Sequence, residues 1–258
     1  MSGAVQLVLT VVDVGPLKGW RVLLALLALS VIWGIFRSSP KGFISREFSN
    51  PSFKVTVKKG DLFAETSQLV IGFTDTFDTG VGVREAISET SVQGQFARRL
   101  YSDDLTRLNR DLSVALRGKS IESVELRSDK PKGNLRRYPI GTVVTIGDER
   151  NYYCIAYSRL SNDLVARSSV DSLWDSMRCL WDEISMNGGR DRVSMPVIGS
   201  DLARVDNLDY ESIVKMVTLS FVARSRQSVI AKELTIVVHP QDQDRLDMNE
   251  VRAFLYSL

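Results

Sequence analysis

Apolar positions along this chain fall into patterns that predict different elements in turn. Residues 22–36, VLLALLALSVIWGIF, form an unbroken apolar run without a charge. From Phe53 onward the runs are shorter. Residues 53–57 alternate as a strand does, and residues 69–73 are a continuous apolar strand. Leu105, Leu108, Leu112, Ala115 and Leu116 recur at helical spacing, with Gly118 as a stop. Residues 141–146 and 152–157 flank Gly147-Asp148-Glu149-Arg150, the signature of a hairpin. The strongest helix is the stripe Val170, Leu173, Trp174, Met177, Leu180, Trp181 and Ile184, ended by Asn187-Gly188-Gly189. At this spacing its aromatics are core residues. Residues 193–198 and 234–238 are further strands. Tyr210, Ile213, Val214, Val217 and Phe221 mark one more helix, and Val251, Phe254 and Leu255 the last. Strands separated by helices predict an α/β fold, a three-layer αβα sandwich, and the hairpin makes its central sheet mixed.

The long apolar run predicts a membrane helix over residues 20–36. As a helix it reaches roughly 25 Å, at the short end of what spans a bilayer. Trp20 and Trp33 lie near its two ends, and Arg21 and Arg37 bracket it, as interfacial anchors do. A buried core helix would keep a polar stripe, whereas the breaks here are Ser30 and Gly34. A cleaved signal peptide fits less well, because Arg37-Ser38-Ser39-Pro40 follows the run instead of a small-x-small site. Residues 4–14 form a second, weaker apolar stretch containing Gln6 and Asp13, either a short first pass or a segment lying in the interface. Lys18 and Arg21 nearly balance Arg37, Lys41 and Arg46, which favours a cytoplasmic C-terminal part only slightly. The expected organisation is a membrane segment over 1–37, a Ser-, Pro- and charge-rich linker over 38–52, and one domain over 53–258.

Composition then narrows the function. A net charge of +2 gives no global field for nucleic acid, and the basic clusters Arg98-Arg99 and residues 130–137 are interspersed along the chain with acids such as Asp103, Asp104 and Asp129, which reads as solvated surface. Cys154 and Cys179 have no metal-binding spacing and read as structural thiols. A single histidine, His239, removes multi-histidine metal sites and most histidine triads.

Three loops follow predicted strands, and each has nucleotide-binding character. Gly60-Asp61-Leu62-Phe63 offers a carboxylate that accepts from an exocyclic amine, or that caps a helix. Thr79-Gly80-Val81-Gly82-Val83 precedes a predicted helix containing Ala86 and Ile87, where backbone N–H groups attract phosphate. It lacks the third glycine of a dinucleotide fingerprint. Ile198-Gly199-Ser200-Asp201-Leu202-Ala203-Arg204 sets a glycine, a hydroxyl and a guanidinium at a strand's carboxyl end, where open α/β sheets bind ligands.

The strings FKVTVKKGDLF, LVIGFTDTFDTGVGV and VSMPVIGSDLAR resemble a macro domain from Phe53 to the C-terminus. The resemblance implies ADP-ribose binding at the carboxyl ends of the central strands. Asp61 matches the family's adenine-recognising aspartate, with Leu62 beside it. Thr79, Gly80, Val81, Gly82 and Val83 match the loop around the distal ribose and diphosphate. Gly199, Ser200, Asp201, Leu202 and Arg204 match the second phosphate loop. Where macro-domain hydrolases carry Asn-Ala-Ala-Asn, this chain has Thr74-Asp75-Thr76-Phe77-Asp78. That departure, with the glycine triplet reduced to Gly80-Val81-Gly82, implies binding without catalysis, and the expected site holds no metal and no cofactor.

An anchor followed by such a domain resembles the TM–macro kind of the ThsA effector family of bacterial Thoeris antiphage defence. The resemblance implies an ADP-ribose-derived signal of histidine–ADP-ribose type, made by a TIR-domain enzyme. It also implies ligand-induced homo-oligomers that disrupt the bilayer from the plasma membrane, with the macro domain facing the cytoplasm. The alternatives are a tethered ADP-ribosyl hydrolase, with Asp75 or Asp78 activating water, and an ADP-ribose-binding or purely structural scaffold.

Overall fold

In a computed structural model of the protein, residues 24–31, 33, 42–82, 85, 87–200 and 208–258 are described. The chain divides into two units, Met1–Lys41 and Gly42–Leu258. In the first, residues 24–31 and 33 are helical. Their large apolar side chains are exposed, Leu27 by 55% and Leu29 and Trp33 by 67%. The remainder of the membrane helix expected over 20–36, and the stretch 4–14, lie outside the described residues. Among the described residues, no helix is long and apolar enough to cross a membrane.

The second unit begins with a strand. Residues 43–49 fall within the segment expected to be a linker, yet they form β1 (Phe43–Ser49), which pairs antiparallel with β2 (Ser52–Lys59) from Phe43 opposite Lys58 to Ser49 opposite Ser52. The apolar alternation was hidden because Arg46 stands between Ile44 and Phe48. Its aliphatic stem and guanidinium lie over the Phe48 ring, 4.8 Å from the centroid, and donate to the Leu255 carbonyl. The domain therefore starts about ten residues before Phe53.

β3 (Gln68–Thr74) shows why a parallel strand reads as a continuous apolar run. Val70 faces one layer of the core while Leu69, Ile71 and Phe73 face the other. Beyond it come α1 (Val92–Tyr101), α2 (Leu105–Ala115) and the short pair β4 (Ser123–Val124) and β5 (Arg136–Arg137). The expected hairpin follows as β6 (Val143–Ile146) and β7 (Tyr152–Leu160), with β8 (Ala166–Arg167) antiparallel to the end of β7. Then come α3 (Val170–Asn187), β9 (Val193–Pro196), α4 (Tyr210–Gln227), β10 (Glu233–Val238) and α5 (Met248–Ser257).

The main sheet runs β1-β2-β10-β9-β3-β7-β6. β2, β10, β9, β3 and β7 are parallel, and β1, β6 and β8 antiparallel. Helices α1 and α2 cover one face; α3, α4 and α5 cover the other. This is the mixed-sheet αβα sandwich that the periodicity predicts.

One helix stands elsewhere than expected. Ile87 is not helical; it bridges to Val81, and the Gly82 and Ile87 N–H groups donate to Ile87 and Gly80 carbonyls (both 3.1 Å). The loop thus folds back on itself, and α1 starts only after Ser91, whose hydroxyl accepts from Gly94 N–H at 3.0 Å.

On the α3/α4 face, Trp181 is 1% exposed, packs edge-on against Phe221 at 5.2 Å, and donates its indole N–H to Ser220 Oγ at 3.0 Å. Trp181→Ala is expected to cost about 3–5 kcal/mol in chemical denaturation, the range for large aromatic truncations in a core.

Candidate functional site

Because five strands run parallel, their carboxyl ends share one edge, and a cavity of about 470 Å³ opens there. Its floor is made of strand ends: Gly72 to Thr74 of β3, Tyr157 and Ser158 of β7, Gly199 and Ser200 beyond β9, Val237 of β10 and His239 just beyond it. A Cβ on Gly72 would lie 2.7 Å from Tyr157 Cε1, so the glycine is what admits that ring to the floor. The side wall is α1 and its approach, Glu89 to Gln95 with Arg98 and Arg99. The first turn of α1 thus borders the cavity, with its Gly94 N–H taken by Ser91 Oγ at 3.0 Å.

The charged groups bordering the cavity are paired. Arg98 meets Glu89 at 3.2 Å, Arg99 meets Asp61 at 2.7 Å, and Asp242 meets Arg245 at 2.9 Å. Arg245 also donates to the Ser200 carbonyl at 2.9 Å, tying the loop after β9 to the turn after β10. His239 accepts the Gln241 N–H on Nδ1 at 3.3 Å. Ser158 Oγ is buried and has no hydrogen-bond partner among the described residues.

Beside the cavity lie two aspartates that a hydrolase would need free. Asp75 is fully buried: Oδ2 accepts from Arg137 at 2.8 Å and Oδ1 from the Leu160 N–H at 2.8 Å. Burial opposes the charge on Arg137, yet its hydrogen bonds to Glu125 and Asp75 hold its pKa above the ordinary arginine value. Asp78 Oδ2 accepts from Lys130, itself 0% exposed, at 2.9 Å and from Thr76 at 2.6 Å, while Oδ1 accepts from the Asn134 N–H. Both carboxylates are committed to holding the segment 123–137 in place, and neither lines the cavity. Cys154 is equally withdrawn, for burial alone pushes its thiol pKa up.

Of the residues picked out in the sequence, Gly199 and Ser200 line the cavity. Asp61 sits just outside it and caps the 3₁₀ turn Leu62–Ala64, accepting from Phe63 N–H at 3.0 Å, and Leu62 is buried in the α1/α2 core. Thr79 is buried and donates to Asn109 at 2.7 Å. Gly80, Val81 and Gly82 form the folded-back loop, with Gly82 at φ +140°, and do not line the cavity. Val83, Asp201, Leu202 and Arg204 lie outside the described residues. The sequence reading missed the α1 wall. Its one local signal was Ser91 three residues ahead of Gly94, a helix N-cap pattern.

Residues 55–239 match the family described as Thoeris protein ThsA, macro domain. The chain belongs to the ThsA macro-domain family. Thoeris protein ThsA of Bacillus amyloliquefaciens (strain Y2) is 24% identical over 211 residues, which cover 78% of this chain and 67% of that protein. Among solved structures, the Oceanobacillus iheyensis macrodomain with MES bound aligns with a TM-score of 0.54 at 12% identity, over 84% of this chain and 100% of its own. The same macrodomain with ADP gives 0.52 at 10% identity, again over 84% and 100%. A mutant of it with ADPR gives 0.51 at 14%, over 83% and 100%. These likenesses show that the ThsA macro domain here has the macro fold.

Removing Lys130 would leave Asp78 buried without its counter-charge. Lys130→Ala is expected to destabilise the protein by about 3–5 kcal/mol in denaturant titrations. Adding Asp78→Asn, which keeps an acceptor but removes the charge, is expected to recover part of that loss.

Proposed function

We propose that the chain is a membrane-anchored receptor and effector of antiphage defence whose macro domain binds an ADP-ribose-derived signal in the cleft at the carboxyl edge of its sheet. The observation that carries this reading is the cleft itself. Its volume of about 470 Å³ lies within the roughly 300–1,000 Å³ typical of small-ligand sites. It occupies the sheet edge in a fold whose solved likenesses include one with ADP and one with ADPR.

The signal is of histidine–ADP-ribose type, made by a partner TIR-domain enzyme, as the family resemblance suggests. Binding without turnover is supported by Asp75 and Asp78, both committed to buried ion pairs. The anchor reading is supported by residues 24–31, a helical stretch apolar but for Ser30 and exposed at every residue, which calls for an apolar surrounding. In this reading the protein sits in the plasma membrane with the macro domain in the cytoplasm. Ligand favours an assembled over a dispersed state, and the homo-oligomer compromises the bilayer. A signal with no differential affinity for the two states would shift nothing.

Calorimetry of the purified protein is expected to show saturable binding of ADP-ribose and its histidine conjugate, with no product on prolonged incubation. Multiple-turnover hydrolysis of an ADP-ribosylated substrate would replace the receptor by an enzyme.

Leu27→Arg places a charge within the apolar run, costs about 3 kcal/mol of insertion, and is expected to move the protein from the membrane to the soluble fraction and abolish toxicity. Retained toxicity of a soluble Leu27→Arg protein would overturn the membrane mechanism.

A further inference from the structure

The cleft's outer end carries an arrangement that the resemblance to macro domains does not describe. Asp61, the expected partner of the base, has each carboxylate oxygen engaged. Oδ1 accepts from Phe63 N–H at 3.0 Å, and Oδ2 holds Arg99 at 2.7 Å. Arg99 lines the cavity whereas Asp61 does not. The Arg99 guanidinium also lies over the Phe63 ring, with Cζ 5.0 Å from the centroid. Three constraints therefore orient one planar group: an ion pair at its edge, an aromatic ring beneath it, and the helix α1 that carries it.

We propose that Arg99 is the side chain that meets the ligand's base, stacking its guanidinium plane on the purine, and that Asp61 is a positioning residue acting through Arg99. This rests on the reading of the cleft as an ADP-ribose-type site. A guanidinium has two faces. Phe63 lies against one, and the side chain, 41% exposed, lines the cavity, where a second flat ring can stack on it, a pairing that guanidinium groups make readily with aromatic systems.

Location and charge both favour the base over the diphosphate. The Gly60 N–H donates to the Val238 carbonyl at 2.9 Å, which sets the loop of Asp61 and Phe63 beside His239 at the β2/β10 end of the cleft. The loop of Gly199 and Ser200, with Gly199 at φ +89°, follows the central strand β9 instead. Arg99 is already neutralised by Asp61, so it offers a plane more than a charge. A phosphate there would have to compete with a carboxylate held at 2.7 Å.

The test is calorimetry on the full-length protein with two ligands, ADP-ribose and its hypoxanthine counterpart, inosine diphosphate ribose. Arg99→Ala is expected to weaken both equally, by about tenfold to a hundredfold, the range for loss of one base-stacking partner. Arg99→Lys, which keeps the charge but loses the plane, should fall nearly as far. Asp61→Ala should weaken both ligands less, and should add nothing in the Arg99→Ala background. Three results would overturn the proposal. One is Asp61→Ala weakening ADP-ribose but sparing the hypoxanthine ligand, the mark of direct contact with the exocyclic amine. Another is full affinity in Arg99→Lys, the mark of a phosphate contact. The third is unchanged affinity in Arg99→Ala. Wild-type protein that binds neither ligand would refute the ADP-ribose reading itself, and the stacking role with it.

Discussion

Two negative charges carried into the interior immediately after β3 constrain the inner end of the cleft. Asp75 and Asp78 are 0% and 3% exposed, and charges so placed persist only if they are paired. Their partners, Arg137 and Lys130, come from a segment more than fifty residues downstream. That segment has little apolar content of its own and would otherwise be a surface loop. The ion pairs fix it, and it in turn fixes the path from Thr74 to Asp78. Gly133 shows how tightly: at φ +75° a Cβ there would stand 2.4 Å from Asp78 Oδ1.

The same lock explains what was legible in the sequence. The stripe of α3, the β6–β7 hairpin and the strand ends at Gly60 and Gly199 all depend on residues close in sequence, and each was readable. The pairing of Asp75 with Arg137 was not, because nothing local marks which of many arginines will turn inward. β1 was hidden for a related reason: Arg46 faces inward at a sheet edge, supported by rings and a carbonyl that only the folded chain brings together. The loop of Gly80 to Gly82 hid its neighbour in the opposite direction, because the glycines placed the following helix too early. Its glycines suggested a phosphate cradle ahead of a helix at Ile87; the folded chain uses them in a bend that returns Ile87 to Val81. The wall of α1 took its place beside the cavity because Ser91, not the glycines, starts the helix.

The cleft that results mixes apolar strand ends with polar groups and is locally balanced in charge, each lining charge held by a neighbour. Such a surface suits recognition by fit and by displaced hydrogen bonds more than by long-range attraction, since paired charges cast little field beyond their own separation.

The antiparallel pairing of β1 with β2 has a mechanical meaning. Because Phe43 stands opposite Lys58, β1 begins at the edge where β2 ends, and the Lys59 N–H donates to the Gly42 carbonyl at 2.8 Å. The chain therefore enters the domain on the cleft side, one residue's hydrogen bond away from Gly60 and the Asp61 loop. The Asp61 loop and the backbone leading into the domain therefore meet at the same end of the β1–β2 pair, joined through main-chain hydrogen bonds and not through the core.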